Sequence, residues 1–373
     1  MDYSHLLRTA WQLTWRNRVL WIFGFFLALS TAGSPFWIYG WDADQSPLLE
    51  YQWDGIDNPF ISPSQLRAAL DELARLIRTD IPAEVRELIV NIALVVVVAL
   101  ITWWAVAAVL HYVSETSTIT LVQRQQETGQ VDRWRAGLNL GWSAGAWRLF
   151  VIDLLLRLPL ALLALAWLAL SAAPLLIWFA GDERLTAATI ALSGMLLLSG
   201  GLVLSPAAAA VALITPIARR ACLVEGLGPL TAVRRAWSVL RANPGPALVV
   251  GLLVLALSLL WSLLAWPLLA LILPISISTV IIGGLVVGLP AAVLIVAAET
   301  LEAGPVVFVI IGLLALPAFL LIALAPLFFL GGLVKVFLAN PWTLAYRQLI
   351  GLPLRATVAP STVKQATGLA TGD

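Results

Sequence analysis

Long apolar runs separated by short basic segments set the pattern of this chain. Continuous hydrocarbon stretches fall at about 19–33, 88–112, 150–179, 185–217, 247–273 and 304–338. They are built of Leu, Ala, Val and Ile without the period-two alternation of a barrel strand, which predicts helices. About 20 apolar residues cross a hydrocarbon core of about 30 Å as a helix, so six spans are expected. A further apolar stretch, 275–298, is broken by Gly283, Gly284, Gly288 and Pro290.

Composition turns helices into membrane helices. Of 373 residues, 61% are hydrophobic and 12% charged, against about 45–50% and about 25% in soluble domains. The fold class expected is therefore all-α: a polytopic helical membrane protein forming one integral membrane domain (1–373). Charge then orients it. Segments 1–18, 113–148, 218–246 and 335–373 hold 16 Lys/Arg against 6 acidic residues, whereas 34–87, 181–184 and 299–303 hold 5 Arg against 14. The positive-inside rule makes the first set cytoplasmic, with both termini inside. The localisation expected is the inner membrane of a bacterium. Ser30 and Ala32 could mimic a signal-peptidase site, but the long basic region before them favours 19–33 as a retained span. If 275–298 crossed the membrane, the basic tail would lie outside. A re-entrant or broken hairpin is preferred to a seventh span on that ground.

Three passages enter the membrane in the same way, namely RTAWQLTWRNRVLW (8–21), RAGLNLGWSAGAWRLF (135–150) and RRAWSVLRANPGPAL (234–248). Each combines Arg with Trp and then turns to hydrocarbon. Indoles prefer the headgroup level, so Trp11, Trp15, Trp142, Trp147, Trp237 and Trp342 are expected as interfacial anchors on short helices lying along the inner leaflet. The loops 113–148 and 218–246 and the tail 339–373 are expected as cytoplasmic amphipathic segments. Three helical hairpins in one orientation, each with its collar helix, follow from this repetition.

The entry WRNRVLWIFGFF (15–26), the central loop ITPIARRACLVEGLGPLTAVRRAWSVLRANPGP (214–246) and the exit PWTLAYRQL (341–349) resemble a loose family of uncharacterised bacterial six-span membrane proteins. That family is related in pattern to the membrane domain fused to some glycerophosphodiester phosphodiesterases. The resemblance covers most of the chain apart from 34–87 and implies topology. It implies no catalysis, because the hydrolase domain and its metal ligands have no counterpart here.

Candidate chemistry is sparse. Asp153 and Arg157 stand i to i+4 on one helix face, where an ion pair can close. The run 150–179 is about a third longer than the hydrocarbon core requires, so both charges are expected in the inner headgroup region as an interfacial salt bridge. A mid-membrane pair would instead mark an ion or proton site. Glu115 and His111 lie four apart at the inner end of the second span, where a proton relay or an ordinary helix end could use them. Glu299 and Glu302 could line an outer vestibule or simply belong to an acidic loop. Gly284 and Gly288 match GxxxG, which suits close helix packing. One cysteine and two histidines leave no metal or disulfide framework, and no cofactor is expected.

The outer segment 34–87 is aromatic and acidic. DADQS begins like a calcium loop, but Pro47 stands at the sixth place and Trp53 at the twelfth, which rejects that reading. An amphipathic helix follows at 63–79, capped by Ser62 and striped by Leu66, Leu70, Leu73 and Ile77. It suits a partner or the outer leaflet. Two functions compete. One is a non-enzymatic scaffold or accessory subunit binding other integral membrane proteins and lipid; the other is a transporter or lipid-handling protein using 275–298. Nucleic acid is not an expected partner at net charge +1.

Overall fold

The computed structural model describes residues 2–31, 83–130, 133–179, 186–302 and 304–354. The helix expected at 63–79 lies outside them. Every element among the described residues is helical: α1 (Tyr3–Arg16), α2 (Val19–Ser30), α3 (Ala83–Thr128), α4 (Trp134–Gly141), α5 (Ala144–Phe179), α6 (Thr186–Val224), α7 (Pro229–Ala242), α8 (Pro244–Gly283), a π-helical turn (Gly284–Gly288), α9 (Leu289–Thr300), α10 (Pro305–Ala323) and α11 (Ala325–Leu349). Six helical stretches among the described residues are long and apolar enough to cross a membrane. The chain is an all-α polytopic membrane protein.

Local chemistry explains the boundaries. The Asp2 carboxylate accepts the backbone N–H groups of Ser4 and His5, both at 3.0 Å, and so caps α1. Pro229, Pro244 and Pro305 open α7, α8 and α10, where the missing N–H costs no hydrogen bond. Helices α3, α6 and α11 each end within two residues of a glycine in the left-handed region, Gly129, Gly226 and Gly351, a conformation that a Cβ would strain.

Those three ends belong to one repeated unit. A short amphipathic helix (α1, α4, α7) breaks after its last turn into an apolar helix (α2, α5, α8), and a long helix returns (α3, α6, α11). The buried apolar positions of α1 and α7 share one register. Leu6, Ala10 and Leu13 are buried, as are Ala232, Ala236 and Val239, while Trp11 and Trp237 point outward from the next position. Each collar helix rests on the return helix of the preceding unit: α4 on α3, α7 on α6 and α1 on α11, so the ring closes. The three return helices touch one another at its centre. Nearly the whole buried core lies at this collar end, from Leu6 and Phe23 through Ile119, Leu149 and Ile217 to Leu344 and Tyr346.

Several expected boundaries move. The segments 113–128, 218–224 and 339–349 are the collar-side ends of α3, α6 and α11, and not loops or tail; their Thr116, Ala218 and Thr343 are buried. Trp342 does not sit in an exposed anchor position but packs against both halves of the core. Trp11, Trp15, Trp142, Trp147 and Trp237 are exposed. The hairpin expected within 275–298 is absent there. Residues Pro244–Thr300 form one helical path of 57 residues, about 86 Å if straight, and the chain turns back after α9. The expected sixth span divides at Leu324 into α10 and α11. Helix α10 runs back along the second half of this path: the Thr279 hydroxyl donates to the Ala323 carbonyl at 2.9 Å, and Gly283 lies against Phe319. Helix α10 also lines a cleft with α3, Ile310 and Leu314 facing Leu94 and Val98. Pro267, Pro274 and the π turn are the points where the long path can bend.

Candidate functional site

At the centre of the collar the return helices bring charge together. Helix α3 supplies a run of small polar residues, Ser114 to Thr118, all buried around Glu115. The Thr118 hydroxyl donates back to the Ser114 carbonyl at 2.8 Å, and the Ser117 hydroxyl lies 2.8 Å from the Val113 carbonyl and 2.9 Å from the Gly137 carbonyl of α4. Their small volume lets α4 and α6 approach closely enough for a charged side chain from α6 to reach α3.

That side chain is Arg219. Its Nη1 donates to Glu115 Oε1, its Nη2 to Asp153 Oδ2, and its Nε to Asp153 Oδ1 at 3.0 Å. The fork is bidentate on Asp153, which is the strongest geometry a guanidinium offers a carboxylate. The Tyr112 hydroxyl donates to Asp153 Oδ2 at 3.2 Å. Three helices are thereby tied by one cation: α3 through Glu115, α5 through Asp153 and α6 through Arg219.

The expected pair Asp153–Arg157 is present, at 3.5 Å, but it is the minor contact. The Asp153 side chain is 5% exposed and Arg157 54%, so the carboxylate points inward to Arg219 while Arg157 stays at the surface. Spacing along one helix revealed the near partner. Arg219 is separated from Asp153 by 66 residues and from Glu115 by 104, and nothing local in the sequence ties them. The only available signal was the pair Arg219–Arg220 set in a helix that holds no other charged residue.

The expected His111–Glu115 pair is also present, with His111 Nε2 3.6 Å from Glu115 Oε2. That oxygen is buried and accepts no hydrogen bond among the described residues. His111 Nδ1 lies 3.4 Å from the Ser30 hydroxyl at the end of α2. Nearby, Lys335 of α11 donates to the Leu27 carbonyl at 3.4 Å. Arg220 points the other way and is held by neutral acceptors: the Pro216 carbonyl at 2.9 Å, the Ala339 carbonyl at 3.1 Å and the Thr343 hydroxyl at 3.3 Å. Sequence reasoning missed Arg219, Arg220, Tyr112 and Lys335. Glu299 and Glu302 lie exposed at the α9–α10 reversal, away from this cluster.

Depth follows from length. The 22 residues from Leu158 to Phe179 continue α5 beyond Arg157 for about 33 Å, enough to cross the hydrocarbon by themselves. That stretch suffices as a span without Arg157, and Asp153 lies one turn nearer the collar. The cleft of about 350 Å³ between α3 and α10 lies apart from the cluster and is lined by aliphatic side chains alone. Among the described residues no three His, Cys, Asp or Glu are grouped to hold a metal ion.

Fold and cluster define a polytopic helical membrane protein whose collar is cross-tied by a buried arginine–carboxylate triad. No protein-family model, curated protein or solved structure matches this chain.

Proposed function

We propose that this protein is a non-enzymatic membrane scaffold or accessory subunit that holds other integral membrane proteins, and lipid, along the sides of its spans. The observation that carries the reading is how little of each span the chain itself covers. In the most apolar 18-residue stretch of α3 none is buried, against 17% for α5, 11% for α6 and 39% for α11. A rigid collar thus carries helices whose flanks are available to neighbours. Lipid tails satisfy such flanks as well as protein does, so association there rests on shape and close packing. Gly284, Gly288, Gly194 and Gly201 support this, since nothing among the described residues lies within 4 Å of a Cβ built at any of them. The triad supports a structural role too: each carboxylate of the site already accepts from Arg219.

The charge pattern puts the collar on the cytoplasmic side of a bacterial inner membrane in this reading, with both termini inside. The resemblance to membrane domains fused to some glycerophosphodiester phosphodiesterases agrees with a module that serves a neighbouring protein. A lipid-handling role is the second reading, favoured by the aliphatic cleft between α3 and α10.

Isolation from native membranes in mild detergent, followed by native gel and mass spectrometry, tests the proposal. It is combined with a photo-crosslinking residue at the exposed Leu198. Stoichiometric co-migration with one membrane protein, crosslinked at Leu198, is expected. Migration alone with crosslinks to lipid only would overturn the scaffold reading and favour the second.

A further inference from the structure

Arg157 presents a guanidinium on the outside of a membrane helix, between the exposed Leu154, Leu155 and Leu158. Its ion-pair contact among the described residues is Asp153 at 3.5 Å, and that carboxylate already receives two bonds from Arg219 and one from Tyr112. A guanidinium carries five N–H donors, so most of those of Arg157 face outward. Arg157 and Arg219 share Asp153, and the other carboxylate of the cluster, Glu115, is bonded by Arg219 and faced by His111, so neither is free for the outward donors of Arg157.

The shape around Arg157 selects the counter-charge. Helices α3 and α5 meet at the collar, where Tyr112 touches both Phe150 (ring centroids 5.5 Å apart) and Asp153. The exposed Trp147 lies against Phe150 at 5.1 Å, one turn nearer the collar. Further out, α3 exposes Ile101 and Trp104, and α5 exposes Leu162 and Leu165. An arginine thus stands at headgroup depth, with an aromatic wall on the collar side and bare hydrocarbon-facing helices beyond it. A phosphate with acyl chains attached fits that sequence of surfaces; a free anion would use only the arginine.

We propose that Arg157 binds the phosphate of an anionic phospholipid seated between α3 and α5 on the collar side. Arg219 is the positioning residue: by occupying Asp153 it leaves the Arg157 guanidinium to the lipid. The inference does not depend on the scaffold reading, since a lipid here would serve either function.

Native mass spectrometry of the full chain released from detergent micelles containing phosphatidylglycerol or phosphatidylcholine tests it, with Arg157→Gln and Arg157→Lys beside the unchanged protein. The unchanged protein is expected to retain one phosphatidylglycerol at least ten times more strongly than phosphatidylcholine. Arg157→Gln should lose that preference while eluting as a monodisperse peak, because the side chain is exposed, and Arg157→Lys should keep part of it. Equal retention of phosphatidylglycerol by Arg157→Gln would overturn the proposal. Displacement of the lipid by millimolar inorganic phosphate would also overturn it, assigning the arginine to a free anion.

Discussion

Replacing Arg219 by Gln should be among the most damaging single changes in the collar. The substitution leaves Glu115 and Asp153, both buried, facing each other without their shared cation. Breaking a buried ion pair by removing one partner costs about 3–5 kcal/mol, because the remaining charge is stranded away from water. Two carboxylates lose that cation at once, Asp153 keeping only the exposed Arg157 and the Tyr112 hydroxyl and Glu115 only His111, so a cost within that range applies, a large fraction of a total stability of about 5–15 kcal/mol. Arg157→Gln touches the same Asp153 but removes an exposed partner, and should cost less than about 1 kcal/mol. The triple variant Glu115→Gln/Asp153→Asn/Arg219→Gln removes every charge of the triad together and should recover most of the loss, since a neutralised triad strands nothing. Unfolding in mixed micelles, followed by tryptophan fluorescence in lipid-free detergent, measures all three. A cost for Arg219→Gln no greater than that of Arg157→Gln would refute the reasoning, as would a triple variant as unstable as the single.

Gly332→Ala would place a Cβ 2.5 Å from a backbone carbon of Gly24 where α2 crosses α11, so a loss of at least about 1–3 kcal/mol is expected in the same assay. Gly284→Ala meets nothing and should leave monomer stability unchanged or raise it by up to about 1 kcal/mol. Trp167→Phe loses the indole bond to the Leu196 carbonyl at 2.7 Å that ties α5 to α6, costing about 0.5–1.5 kcal/mol. The backbone N–H of His5, bonded to the Asp2 carboxylate, holds that carboxyl below the ordinary range. The cap is therefore fully present above the ordinary carboxylate pKa and is lost as pH falls through the lowered one. Amide exchange at Ser4 and His5 should speed up over that acid interval, and in Asp2→Ala it should be fast at every pH.

The amino-acid sequence by itself determined the class, three of the long apolar helices (α3, α5 and α6) and the repeated collar. Each of these is written in local patterns: hydrocarbon runs too long for a soluble core, Arg and Trp at helical spacing, Gly at helix ends. The exposed Trp11 and Trp237 stand where periodicity put them. Only the tertiary structure decided which charges meet. Asp153 has one arginine four residues away and another 66 away, and Coulomb attraction makes no distinction of sequence distance once α3, α5 and α6 converge. Burial, which governs the strength of each pair, depends on that convergence. The reversal after α9 was hidden for a related reason. Gly283, Gly284, Gly288 and Pro290 looked like a break in 275–298, yet a helix in an apolar setting keeps its own hydrogen bonds and absorbs them as a π turn. The same holds for Trp342, whose indole looks like an anchor in the sequence and is packed into the core because α11 continues past the expected membrane edge. Local propensity sets what each segment can be, and only packing against distant segments sets which face of it is inside.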